Sequence, residues 1–284
     1  MLNQKRVVID YVSPVLNGGE FPIKRVVNEV VNVEAHVFGD GHDLIGTSVL
    51  FKHKSARTWN EIRMKPGFND EWFASFYVEK QGYYEYKIEG WIDHALTWQH
   101  GIKRKIENQQ KVTSELLEGV KFIEAIYKRL SADDKAYLDH LKKIFRNKNF
   151  YDIAISEAVS DRLYHLFYNF PDKKLVNSTK IYKIYVDRLK ARFSTWYEFF
   201  PRSASEKEGV HGTFKDCERL LPRVAEMGFD TLYFPPVHPI GEVNRKGKNN
   251  STNIVSGDVG SPWGIGSKLG GHKDIHPELG SLKD

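Results

Sequence analysis

Residues 195–241, TWYEFFPRSASEKEGVHGTFKDCERLLPRVAEMGFDTLYFPPVHPIG, decide the fold of this chain. An apolar run, Trp196–Phe200, gives way to a polar loop, then to a helical stretch opening at Thr213, then to a second apolar run, Thr231–Phe234, closed by Pro235-Pro236. Phe214, Cys217, Leu220, Leu221 and Val224 recur at three- to four-residue spacing and define the buried face of the helix, expected to run through Met227. Thr213 is its predicted N-cap and Gly228 its predicted stop. Strand, helix and strand in this order describe a right-handed crossover between parallel neighbours, the opening unit of a βα architecture.

If that architecture is a (β/α)₈ barrel, loops after the strands build its site. The first such loop is Arg202–Val210. The second is long and holds His238-Pro-Ile-Gly, Asn244-Arg-Lys-Gly-Lys-Asn-Asn250, Asp258-Val-Gly-Ser-Pro-Trp-Gly-Ile-Gly266 and Gly270-Gly-His272. Loops of this length and glycine content are more often functional than not. Arg245, Lys246 and Lys248 stand beside asparagines. Ammonium donors suit an anionic group and amides suit hydroxyls, so a phosphorylated sugar is congruent, as is a solvated basic turn. Trp263 fits a face offered to a sugar ring and equally a loop anchor.

Weaker signals fall away. Gly264-Ile-Gly266 lacks the spacing of a dinucleotide fingerprint, and there is no Walker A sequence. His272 and His276 are four apart, but the glutamate of a zinc-protease motif is missing and Pro277 opposes a helix, so no metal is expected. His211 and His238 read as hydrogen-bonded structural residues. Cys217, the single cysteine, reads as a small buried side chain, and a chain with one cysteine fits a reducing cytoplasm. Glycosyl transfer with retention needs two carboxyl groups about 5 Å apart. Glu198, Asp230, Asp258 and Asp274 are available, and no pair of them is convincing.

Upstream, the pattern is different. Val31, Val33, Ala35 and Val37 alternate with polar residues, as do Trp72, Ala74, Phe76 and Val78, and then Tyr84, Tyr86 and Ile88. Short strands separated by Gly39-Asp-Gly41, Pro66-Gly67 and Gln81-Gly82, up to about residue 100, predict an immunoglobulin-like sandwich. The period then changes to three and four residues. Three helices are expected, over about 112–130, from Ser131-Ala-Asp-Asp134 through Phe145, and from Asp152 to Tyr168. Alternation returns at Lys180–Arg192. The helices therefore read as an insertion in the sandwich. The expected domains are 1–104, the first part of the sandwich; 105–172, the inserted helical bundle; 173–193, the last sandwich strand or strands; and 194–284, the start of a barrel.

Composition excludes several classes. Hydrophobic residues at 40% and charged residues at 28% are those of a globular chain. The net charge of +5 is interleaved with acidic residues and no nucleic-acid motif accompanies it, so nucleic acid is not an expected partner. No stretch approaches eighteen apolar residues, the N-terminus has no long apolar run with a cleavage site, and no membrane association is expected.

Taken together, WYEFFPRS, GTFKDCERLLPRVAEMGFDTLYFPPVHPIG, RKGKNN and DVGSPWGIGSKLGGH resemble the alpha-1,4-glucan:maltose-1-phosphate maltosyltransferases of the alpha-amylase group. The likeness is most specific over 188–284. It implies a multidomain protein: an immunoglobulin-like β-sandwich with an inserted helical bundle, followed by the first βαβ portion of an incomplete (β/α)₈ barrel. It implies maltosyl transfer from alpha-maltose 1-phosphate to the non-reducing end of alpha-1,4-glucans, with release of phosphate and retention of configuration. Lys246 matches the lysine and Asn250 the last asparagine of the family's RKG-x-NN motif, and Ser261 in GSPW lines the same pocket; these three are the expected substrate-binding residues. No cofactor and no metal are implied, and a homodimer is. No residue here matches the family's nucleophile or acid/base, so the resemblance assigns no catalytic residue and suggests an inactive fragment. Two alternatives stand beside it: a non-catalytic glucan-binding or dimerisation module, and another enzyme of the alpha-amylase group.

Overall fold

The computed structural model describes residues 5–284; residues 1–4 of the first expected domain lie outside the described residues. The chain divides into two compact units, one ending at Arg188 and one spanning Leu189–Asp284.

The first unit opens with eight strands: β1 (Val7–Ser13), β2 (Ile23–Val26), β3 (Glu29–Gly39), β4 (Ile45–His53), β5 (Asn60–Arg63), β6 (Lys65–Pro66), β7 (Glu71–Val78) and β8 (Gly82–Ile92). Two more, β9 (Asn177–Ser178) and β10 (Tyr182–Asp187), follow the helices. One sheet has the order β1-β3-β7-β6; the other has β2-β10-β8-β4-β5, with β9 also paired to β8. All pairs are antiparallel except β2 with β10, where Ile23 stands opposite Ile184.

The alternation read from the sequence sets the inner faces. Val31, Val33, Val37, Phe76 and Val78 from the first sheet meet Val49, Tyr86, Ile88, Ile184 and Val186 from the second in one core. Full burial of an aliphatic or aromatic side chain contributes about 1.5–3 kcal/mol. Phe51 of β4 stacks on Phe76 of β7 with ring centroids 4.1 Å apart, and the Tyr86 hydroxyl donates to the carbonyl of Pro14. Trp72 and Ala74 share the inward face of β7 but are only half-buried.

Between β8 and β9 lie five helices: α1 (His94–Glu107), α2 (Thr113–Ile126), α3 (Ala132–Phe145), α4 (Tyr151–Ala158) and α5 (Asp161–Asn169). Two expectations change here. Helix α1 begins inside the stretch read as strand, because Asp93 caps it, accepting from the amide of Leu96 at 3.3 Å, and Leu96, Trp98, Gln99 and Ile102 then fall on one buried face. The expected helix from Asp152 to Tyr168 is two helices. Ser160 caps α5 through the amide of Leu163, and the buried Gln99 amide nitrogen donates to the carbonyls of Ala158 and Ser160 at the corner. The cap predicted at Ser131 is present, its hydroxyl accepting from the amide of Asp134 at 3.2 Å. Among the described residues no helix is long and apolar enough to cross a membrane.

The second unit starts with β11 (Trp196–Glu198), α6 (Phe214–Glu226) and β12 (Thr231–Tyr233). The two strands are parallel, Trp196 opposite Thr231 and Glu198 opposite Tyr233. Both are shorter than their apolar runs, because Pro201 and Pro235 lack the amide donor a ladder needs and restrict the residue before them. Helix α6 opens on a full capping box: Thr213 Oγ1 accepts from the Asp216 amide, and the Asp216 carboxylate accepts from the Thr213 amide at 2.8 Å. Cys217 and Val224 are buried as expected, whereas Leu221 is 45% exposed. Burial pushes the Cys217 thiol up to about 11, which leaves it inert near neutrality. From Phe234 to Asp284 the chain is loop apart from a 3₁₀ turn at Lys248–Asn250.

Candidate functional site

The long loop after β12 is closed at its base by the backbone. The amide of Gly241 donates to the carbonyl of Gly264 at 2.8 Å and that of Glu242 to Gly266 at 3.2 Å. A β-carbon at position 241 would stand 2.1 Å from the carbonyl oxygen of Ile265, so only glycine permits this closure. Within the loop, the Gly247 amide donates to Ser251 at 2.9 Å, and Asn249 and Asn250 both take the left-handed conformation, with φ of 52° and 61°. Asparagine tolerates that region better than other side chains with a β-carbon, which is the local reason for the paired asparagines.

This folding produces an open cleft of about 500 Å³ whose walls include Lys246, Asn250 and Ser261, together with Phe200, Arg202 and Trp263. The three residues named from the sequence thus share one cavity. Trp263 is 55% exposed on its rim and meets Phe200 edge-on, with ring centroids 5.9 Å apart. It is anchored along one edge and open on the other.

Positive charge dominates the cleft. Lys246 and Lys248 form no ion pair among the described residues. Arg202, which sequence reasoning located only as the start of the first loop, reaches across to the Gly260 carbonyl at 3.3 Å, and burial lowers its pKa. Asp258 is the single carboxylate in the lining, and one of its oxygens already accepts from the Val255 amide at 2.8 Å. The other acids considered are elsewhere. Glu198 is exposed on β11, Asp230 accepts from the Thr195 amide and pairs with Lys190, and Asp274 accepts from the Gly271 amide at 2.7 Å. No two of these four carboxyl groups share the cleft. Donors to hydroxyl and anionic oxygens are therefore in place in this cleft, and Asp258 is the one carboxylate on its walls.

The histidines regroup. His272 and His276 do not face each other: His272 packs edge-on against His238 and His276 stacks on His211, each with centroids 5.3 Å apart. Donor atoms of His211, His276 and Glu278 lie within 4.8 Å of one another, a grouping the i, i+4 spacing does not foretell. A larger cleft of about 700 Å³ lies in the first unit, against Arg63, Arg129, Tyr168 and Lys173. Two of its cations are already paired, Arg63 with Asp93 at 3.2 Å and Lys173 with Glu61 at 2.6 Å. It offers less free charge than the cleft at Lys246.

Residues 5–188 match the sequence model of the alpha-1,4-glucan:maltose-1-phosphate maltosyltransferase N/S domain. The chain belongs to that family. Proteins bearing the same name are similar over nearly the whole chain: one from Methylacidiphilum infernorum is 45% identical over 99% of it, one from Chlorobaculum tepidum 43% over 99%, and one from Myxococcus xanthus 42% over 98%. The chain covers 42%, 42% and 43% of the length of these three maltosyltransferases, so it spans about two fifths of the relatives it matches.

Proposed function

We propose that this chain supplies the donor-side wall of an enzyme that transfers maltosyl from alpha-maltose 1-phosphate to the non-reducing end of alpha-1,4-glucans, releasing phosphate with retention at the anomeric carbon. The observation that carries this reading is the convergence of Lys246, Asn250 and Ser261 on one cleft. An ammonium, a primary amide and a hydroxyl together offer donors and acceptors matched to the hydroxyl pattern of a glucosyl unit. The exposed edge of Trp263 adds an apolar surface of the kind sugar rings pack against. On this reading the two-sheet part of the first unit is an immunoglobulin-like sandwich bearing an inserted bundle, and residues 194–284 open a (β/α)₈ barrel. The protein works in the cytoplasm as a homodimer, without metal or cofactor.

The same cleft sets a limit on what these 284 residues do by themselves. With Asp258 as its single carboxylate, the cleft offers no nucleophile and acid/base pair of its own. The isolated chain binds maltose and does not turn over maltose 1-phosphate. Isothermal titration of the chain with maltose tests the first statement, and Lys246→Ala is expected to weaken binding at least tenfold. Phosphate release from alpha-maltose 1-phosphate tests the second. Turnover by the pure chain would sink the missing-pair argument, and unchanged maltose affinity in the Lys246 variant would remove that residue from the site.

A further inference from the structure

Arg245 precedes Lys246 but does not line the cleft. Its guanidinium instead turns into the loop and spends each of its three nitrogens on a different main-chain carbonyl. Nε donates to Gly241 at 3.0 Å, one terminal nitrogen to Ile240 at 3.1 Å, and the other to Asp258 at 3.4 Å. Ile240 and Gly241 lie on the outgoing arm of the loop and Asp258 on the returning arm. The cross-link therefore closes the segment that contains Lys246 and Asn250, and it ends three residues before Ser261. The fit is tight: a β-carbon at Gly260 would stand 2.9 Å from Arg245 Cγ.

We propose that Arg245 is a positioning residue for the donor cleft, a three-carbonyl clamp that fixes where Lys246, Asn250 and Ser261 stand relative to one another. A planar fork of charged donors serves three carbonyls at fixed angles, and an ammonium point charge does not, so lysine is not a conservative replacement here. Without the clamp, three carbonyls lose a charge-assisted donor and the loop regains the freedom its closure removed. The consequence for sugar binding rests on the donor-side reading above; the ordering of the loop does not.

The test uses the full chain with two readouts, amide hydrogen exchange and maltose titration. In Arg245→Lys, exchange at the Gly241, Gly247 and Gly264 amides is expected to rise at least tenfold while interior amides of α6 keep their protection, and maltose affinity is expected to fall at least tenfold. In Arg245→Ala, added methylguanidinium is expected to restore part of both. Unchanged loop exchange overturns the proposal. An equal rise in α6 overturns it too, since Arg245 would then hold the whole unit together and not the cleft. If the unsubstituted chain shows no maltose binding, the donor-side reading fails, and the exchange arm still decides whether Arg245 clamps the loop.

Discussion

The indole of Trp98 lies across the backbone of α2 at Gly119. Its Nε1 donates to the carbonyl of Glu115 at 2.7 Å, one turn earlier, and a β-carbon at position 119 would stand 2.3 Å from Cζ2 of the ring. Trp98 is only 6% exposed and is packed by Phe122, Phe145 and Phe167, so it has no easy escape. Alanine in mid-helix normally stabilises by about 1 kcal/mol over glycine. Here overpacking of about 1–3 kcal/mol is expected to win, and Gly119→Ala should lower the urea midpoint of the first unit. A midpoint that rises would show that the ring moves aside at little cost.

The sheet in which β8 pairs with β10 carries an acid-sensitive cluster. Burial pushes the carboxyl of Glu89 up, but Lys87 at 2.7 Å and Lys173 at 3.2 Å outweigh it, and the net result lies below the ordinary value of 4.5. The unfolded chain then takes up this proton at higher pH than the folded one. Stability from Glu89 is present above the ordinary value and is lost as pH falls through the folded one. From about pH 5.5 down to about pH 3, the thermal midpoint of the first unit should fall, and Glu89→Gln should shallow that slope. An identical slope in the variant would assign the acid sensitivity to other carboxylates.

His276 gives the second unit a dependence in a different range. Burial lowers its pKa below the ordinary 6.5, the stacked His211 and the cations Arg202 and Arg245 lower it further, and Glu278 opposes them. A histidine with a depressed folded pKa binds its proton more readily unfolded. Its contribution is therefore complete above 6.5 and disappears as pH falls through the folded value. Unfolding of the second unit followed from about pH 7.5 down to about pH 5.5 should show decreasing stability, less steep in His276→Gln. A steeper decrease in the variant would reverse the sign argued here.

What the sequence disclosed depended on how local the cause was. The inward alternation of β3 and the Thr213 cap of α6 are set by neighbours within a few residues, and both read directly. Helix α1 did not, because Asp93 follows Trp91-Ile92 at the end of a real strand, and only the fold shows that Asp93 accepts from Leu96. The break between α4 and α5 is held by Gln99, about sixty residues earlier in the chain, and the parallel pairing of β2 with β10 joins residues still further apart. In the site, the resemblance of RKGKNN and GSPW to the family's motifs nominated Lys246, Asn250 and Ser261, where loop position and charge alone left a solvated basic turn equally open. Arg202 reaches Gly260 across 58 residues, and Arg245 looked like one more charge in a basic turn until its three carbonyl partners were visible.

Asn250 carries two roles that substitution separates. Its backbone is left-handed, with φ of 61°, and its side chain lies on the cleft wall. Glycine adopts that backbone at no steric cost, whereas alanine there stores strain of about 1 kcal/mol or more. Asn250→Gly should therefore leave the stability of the second unit within about 0.5 kcal/mol of the unsubstituted chain. It should also weaken maltose binding, because the amide is gone. Asn250→Ala should lose both stability and binding. Maltose titration and thermal unfolding of the two variants read these effects independently. If Asn250→Gly binds maltose as tightly as the unsubstituted chain, the asparagine is present for its backbone conformation and the donor site must be built without its side chain.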